Sequence, residues 1–186
     1  MPISQRIARG ILNLLGWQIV GDFPDLPKYI IVGAPHTTNW DFPFTMLLMF
    51  GSGMRFNWIA KDSLFRGPVG GVMRRLGGIP VRREQKANFT GQIAELFERS
   101  QRMVIAISPE GTRSLVTRWK TGFYYMARSA NVPIVMGFID YARKQVGIGP
   151  IHYPGENIEE TFAALRAFYT DKVGLHPHKQ GRIEPI

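Results

Sequence analysis

The sequence predicts an α/β fold, a single domain with a mixed, mostly parallel central sheet flanked by helices. Three observations carry this expectation. Short β-branched runs alternate with helix-period segments along the whole chain, the order that places helices on the faces of a parallel sheet. The 186 residues, 45% hydrophobic and 12% aromatic, suffice for one buried core. No internal repeat, linker or low-complexity stretch divides them, so one domain over 1–186 is expected.

Taken in order, residues 3–15 read as an amphipathic helix. Ile3, Ile7, Ile11, Leu14 and Leu15 share one side, while Arg6, Arg9 and Asn13 lie elsewhere on the wheel. Such a helix can lie on lipid with its arginines near anionic headgroups, or pack on its own domain. Gly16 ends it, and the Asp- and Pro-rich segment 22–27 is a loop. The β-branched run 28–33 is a buried strand. Residues 42–49 follow as a helix opened by Pro43. A strand at 56–61, a helix at 65–76 and a short strand at 79–81 come next. Residues 87–100 form a helix with Phe89, Ile93, Leu96 and Phe97 on one side. Then come a strand at 103–107, a helix at 122–130, and strands at 133–139 and 145–148. A helix at 158–173 carries the stripe Phe162, Leu165, Phe168 and Tyr169. The tail from Gly174, with His176 and His178, reads as irregular and solvated.

Composition narrows the chemistry. The chain has no cysteine, which excludes disulfides, zinc–thiolate sites, a cysteine nucleophile and an acyl-cysteine intermediate. A net charge of +9 predicts attraction to an anionic partner: a membrane surface, a phosphorylated substrate or nucleic acid. No zinc-finger spacing, RNA-recognition aromatic motif or helix-turn-helix pattern supports nucleic acid. The longest apolar stretch, 42–50, falls far short of the roughly 18–20 residues of a spanning helix. With no signal-peptide block either, a cytoplasmic protein, peripheral on the inner face of the membrane, is expected.

Three segments carry candidate chemistry. Pro35-His36-Thr37-Thr38-Asn39-Trp40-Asp41 follows the strand at 28–33, where α/β sheets place their sites. In a continuous helix, five residues rotate by roughly 500°, which would leave His36 and Asp41 about 140° apart. They meet only if His36 lies in the turn and Asp41 starts the next helix. A carboxylate so placed holds the imidazole tautomer and stabilises the imidazolium as histidine takes a proton from an alcohol. Spacing alone also fits a turn with Asp41 as a helix cap and His36 on the surface. Ser108-Pro109-Glu110-Gly111-Thr112-Arg113-Ser114 follows the strand at 103–107. Gly111 permits a tight backbone, Thr112 offers a hydroxyl and Arg113 presents a fork suited to phosphate. A Glu–Arg loop pair is the plainer alternative. Gly77-Gly78-Ile79-Pro80-Val81-Arg82-Arg83, with Lys86 behind it, reads as a basic strand end that binds phosphate or is simply solvated.

These blocks, in this order, resemble the glycerolipid acyltransferase family. The histidine, four residues, then aspartate match at His36 and Asp41. A Gly-x-Ile start ending in arginine matches at Gly77, Ile79 and Arg83. Pro-Glu-Gly-Thr-Arg-Ser matches without a gap at 109–114, and Val-Pro-Ile at 132–134. Trp119-Lys120-Thr121-Gly122 resembles the aromatic-Lys-x-Gly segment after the third block. The family's pattern differs at Pro35, where Asn is common, at Thr38, at Pro80 and at Met136-Gly137.

The resemblance implies acyl transfer from acyl-CoA or acyl-carrier protein to the hydroxyl of a glycerophosphate- or lysolipid-type acceptor, with no covalent acyl-enzyme. His36 would be the general base and Asp41 its support. Arg83, Glu110, Gly111, Thr112 and Arg113 would bind the acceptor, and Pro133 would shape the site near the acyl chain. Phe44, Met46, Leu47 and Met49 are candidates for an acyl groove or for plain core. No metal or prosthetic group is implied. The rival readings are an acyl-thioester hydrolase using water, and a basic lipid- or nucleic-acid-binding protein without activity.

Overall fold

Along the strand Lys28–Ala34, alternate side chains leave on opposite faces. Ile30, Val32 and Ala34 enter one core, and Tyr29 and Ile31 enter the other. A strand buried on both faces must be covered by helices on both, and it is. The computed structural model describes residues 1–81 and 89–186. Its strands are β1 (Gln18–Val20), β2 (Lys28–Ala34), β3 (Asn57–Lys61), β4 (Gly78–Val81), β5 (Met103–Ile107), β6 (Ile134–Asp140) and β7 (Gln145–His152). The α-helices are α1 (Ile3–Leu14), α2 (Asp41–Ser52), α3 (Gly67–Arg75), α4 (Phe89–Arg99), α5 (Gly122–Ser129) and α6 (Ile158–Tyr169).

The strands form one seven-stranded sheet in the order β1-β7-β6-β2-β5-β3-β4. β6, β2, β5, β3 and β4 all run parallel, whereas β7 is antiparallel to β6 and β1 parallel to β7. The mixed, mostly parallel α/β architecture is therefore the one expected. Ile93 and Phe97 of α4, Phe123 and Met126 of α5, and Phe162 and Leu165 of α6 pack on the face presented by Ile30 and Val32. Met46 and Met49 of α2 pack on the other face, with Tyr29 and Ile31.

α2 is apolar nearly all round because it is covered on two sides. Leu48 joins Leu12 of α1 in a separate cluster, away from the sheet-facing methionines. α1 is clamped to the end of α2 by Gln5 Nε2 and Arg9 Nε, which donate to the Gly51 carbonyl at 3.2 and 2.7 Å. Of the four residues considered for an acyl groove, Met46 and Met49 are buried core. Phe44 lies against Trp17, and Leu47 is half-buried.

Several boundaries differ from the sequence reading. β1 was not expected, since three residues are too short to show a period. α6 ends at Tyr169, with Thr170 as its C-cap, not at 173. β7 runs to His152, four residues further than expected. The expected helix start at 87 and the basic residues Arg82, Arg83 and Lys86 lie outside the described residues. No helix among the described residues is long and apolar enough to cross a membrane.

Candidate active site

The neighbouring strands β6, β2 and β5 end at the same edge of the sheet, and the segment after each supplies one part of a site. In open α/β sheets, the carboxyl ends of the strands are where ligands bind. β2 passes through the cis bond Ala34–Pro35 into the turn carrying His36, and α2 starts at Asp41. The turn and the helix start thus bring the two side chains together. His36 Nδ1 lies 3.0 Å from Asp41 Oδ2, with 27% of the histidine side chain exposed and 4% of the aspartate.

Asp41 organises the turn as well as the ring. Its Oδ2 also accepts the backbone N–H groups of Thr37 and Thr38, at 2.9 and 3.0 Å. Its Oδ1 accepts the Tyr141 hydroxyl at 2.8 Å. A carboxylate that only accepts makes Nδ1 the protonated nitrogen of a neutral His36. The Nε2 lone pair is then left to take a proton, the arrangement of a general base held by a carboxylate.

Glu110, after β5, is only 2% exposed. It lies beneath the turn, where its Oε2 accepts the His36 backbone N–H at 2.6 Å and stands 3.4 Å from Ser108 Oγ. Burial pushes its pKa up to about 7, against the lowering pull of the His36 N–H and the His36 charge. In this position Glu110 faces the backbone of the His36 turn instead of solvent. Gly111 and Thr112 are half-buried and Arg113 is exposed. Gly111 has φ +65°, a left-handed conformation that a side chain resists, so the motif's glycine has a backbone reason. Thr112 Oγ1 accepts the Ser114 N–H at 3.3 Å, and the Lys120 N–H closes the loop on the Pro109 carbonyl at 2.9 Å. Arg83 lies outside the described residues.

Pro133 is placed elsewhere. It precedes β6, whose Ile134 pairs with Ile30, while the site end of β2, Ala34, pairs with Phe138. Roughly 16 Å of strand thus separates Pro133 from the His36 edge. It is buried at the far end of the sheet, where its carbonyl accepts the Ile30 N–H.

Two contributors were not legible in the sequence. Tyr141 is a lone aromatic after a strand, and nothing in its neighbourhood marks it. The tail is the other: residues after α6 dock on the His36 turn. The His176 N–H donates to Thr37 Oγ1 at 3.2 Å, and the Val173 carbonyl accepts the Tyr141 N–H at 2.8 Å. A Cβ on Gly174 would lie 2.8 Å from Thr37 Oγ1, so this approach requires glycine. From sequence this segment, with His176 and His178, reads as an irregular, solvated tail. Among the described residues, no three His, Asp or Glu side chains converge as a metal centre would require.

Comparison with known proteins agrees with this architecture. A family model described as Acyltransferase matches residues 21–137. Among solved structures, the fold is similar to that of the 1-acyl-sn-glycerophosphate (LPA) acyltransferase PlsC from Thermotoga maritima. The TM-score is 0.61 at 18% identity, covering 88% of this chain and 74% of that one. No curated protein sequence matches this chain.

Proposed function

This chain belongs to the acyltransferase family, and on that premise we propose that it esterifies the hydroxyl of a glycerophosphate- or lysolipid-type acceptor with a fatty acyl group from acyl-CoA or acyl-carrier protein. The observation that carries the reading is the His36–Asp41 contact at 3.0 Å, on a partly exposed ring at the carboxyl edge of the sheet. His36 Nε2 takes the acceptor's hydroxyl proton as its oxygen attacks the thioester carbonyl carbon. Asp41 stabilises the imidazolium that forms. Collapse of the tetrahedral intermediate breaks the carbon–sulfur bond, and the departing thiolate recovers the proton. An ester and a free thiol result, with no acyl-enzyme.

Arg113, exposed in the same loop as Glu110 with Thr112 and Gly111 beside it, is assigned to an acceptor phosphate from the sequence motif. Arg83 is assigned the same task from the sequence motif. Glu110 serves the acceptor indirectly, by holding the turn. The acceptor class follows the LPA acyltransferase named above, by analogy of fold.

The test is thiol release from palmitoyl-CoA by the purified protein, with and without lysophosphatidic acid. Release that depends on the acceptor is expected. Equal release without any alcohol acceptor would instead mark a thioester hydrolase.

The donor and acceptor chemistry also calls for contact with lipid, and α1 supports it. One side of the helix buries Ala8 and Leu12. The other leaves Ile3, Ile7 and Leu14 at 76%, 57% and 87% exposure, an apolar stripe with no acidic residue before Asp22. We expect the protein to pellet with vesicles containing anionic lipid. Ile7→Ser with Leu14→Ser should weaken that binding about tenfold or more, at roughly 0.8 kcal/mol per withdrawn CH₂. Unchanged pelleting would exclude α1 as the contact.

A further inference from the structure

The geometry points to Tyr141 as a positioning residue for the His36–Asp41 pair, the outer member of a Tyr–Asp–His relay whose hydroxyl fixes the carboxylate that fixes the imidazole. The inference rests on the proposed role of His36 and deepens it.

The two oxygens of Asp41 are held differently. Oδ2 is bound by one short stretch of its own chain: the His36 ring and the Thr37 and Thr38 amides. Those three contacts pull on a single oxygen and leave the carboxylate free to swing about it. Oδ1 is held by Tyr141 Oη at 2.8 Å, from a residue 100 positions away in sequence. Anchoring both oxygens fixes the carboxylate plane, and with it the direction of the acceptor lone pair that orients Nδ1–H.

Tyr141 is itself immobilised, as an anchor must be. Its ring meets Trp17 edge-on at 5.0 Å and Phe44 at 5.7 Å, and Trp17 stacks on Phe44 at 4.0 Å. Its own N–H is bound by the Val173 carbonyl. The turn that follows is pinned by Asp140, fully buried, whose Oδ1 accepts the Ala142 and Arg143 amides at 3.0 and 3.2 Å. Two chain segments, at 17 and 44, thus pack on the ring, and a third, at 173, holds the residue's backbone at the end of β6. The packing needs only the ring, and a phenylalanine would supply it. The hydroxyl donates to the Asp41 oxygen. Burial, and then the Asp41 charge, raise the pKa of this phenol, so it stays a donor across the working pH range.

Tyr141→Phe separates the two roles, because it keeps the aromatic cluster and removes the hydroxyl. In the thiol-release assay with palmitoyl-CoA and lysophosphatidic acid, kcat should fall about tenfold, the effect of one lost hydrogen bond to a charged group. KM for both substrates should stay within about twofold, since Tyr141 touches neither. In a His36→Ala background the same substitution should cost nothing further, because the hydroxyl acts through the imidazole. An unchanged kcat, or a further tenfold loss without His36, would overturn the inference. A readout independent of turnover is the His36 Nδ1–H proton resonance, which should move in Tyr141→Phe. An immobile resonance would also overturn the inference. Should the wild-type protein show no acceptor-dependent release, the proposed function fails, while the resonance still decides whether Tyr141 positions the ring.

Discussion

Replacing His36 with alanine is expected to lower kcat for acyl transfer by about a thousandfold while leaving the fold in place. The large effect follows from geometry. Asp41 occupies Nδ1, so Nε2 is the nitrogen available to take the hydroxyl proton, and alanine leaves no base in its position. The small structural effect follows from what remains. Asp41 keeps the Thr37 and Thr38 amides and the Tyr141 hydroxyl, and the His36 backbone N–H still reaches Glu110. Losing one partner of a carboxylate that retains three should cost about 1 kcal/mol, a few degrees in Tm for a domain of this size. The check is acceptor-dependent thiol release beside a thermal melt. Activity within about tenfold of wild type would remove His36 from the proton transfer.

A second large effect is expected at Asp41, where two substitutions should part company. Asp41→Asn keeps the shape. Its amide oxygen can take the place of Oδ2, and its NH₂ can donate to the Tyr141 oxygen once that hydroxyl turns away. The ring is then still held, but no negative charge faces the imidazolium, so kcat should fall by about 10²- to 10³-fold with the fold largely stable. Asp41→Ala leaves the Thr37 and Thr38 amides and the Tyr141 hydroxyl without their acceptor, two of them on buried residues. At about 1–3 kcal/mol for each unsatisfied buried donor, the expected loss is about 3–5 kcal/mol of stability on top of the lost activity. Urea unfolding of both variants separates the cases. Equal stability in Asp41→Asn and Asp41→Ala would mean that the turn does not depend on this carboxylate.

How much of this was legible in the sequence differs from element to element. The strands at 28–34 and 103–107 are β-branched or apolar runs bounded by loops, and the helices α2 and α6 carry strong apolar patterns, so local signals suffice for them. β1 is different, because Gln18-Ile19-Val20 has no period to read and becomes a strand only by pairing with β7. The third motif named Glu110, Gly111, Thr112 and Arg113 together, yet one of them turns inward and another lies on the surface. A motif states which residue types are present, and their directions depend on how the loop closes through Lys120 and Pro109. Pro133 shows the same limit from the other side, since its block belongs to the pattern but stands at the opposite end of the sheet.

By itself, the sequence determined the α/β class and the amphipathic first helix, and it singled out His36 and Asp41 as the candidate pair. Each of these is a local matter of periodicity or of spacing within a few residues. Only the tertiary structure decided that Glu110 supports the His36 backbone, that Tyr141 closes on the second oxygen of Asp41, and that the tail at 173–176 docks on the His36 turn and Tyr141. Parallel strands are joined by long crossovers, so the neighbours in space that β6, β2 and β5 bring to one edge are distant along the chain. No local pattern encodes a partner 74, 100 or 139 residues away. Sheet register and the packing of both cores place those partners within hydrogen-bond reach.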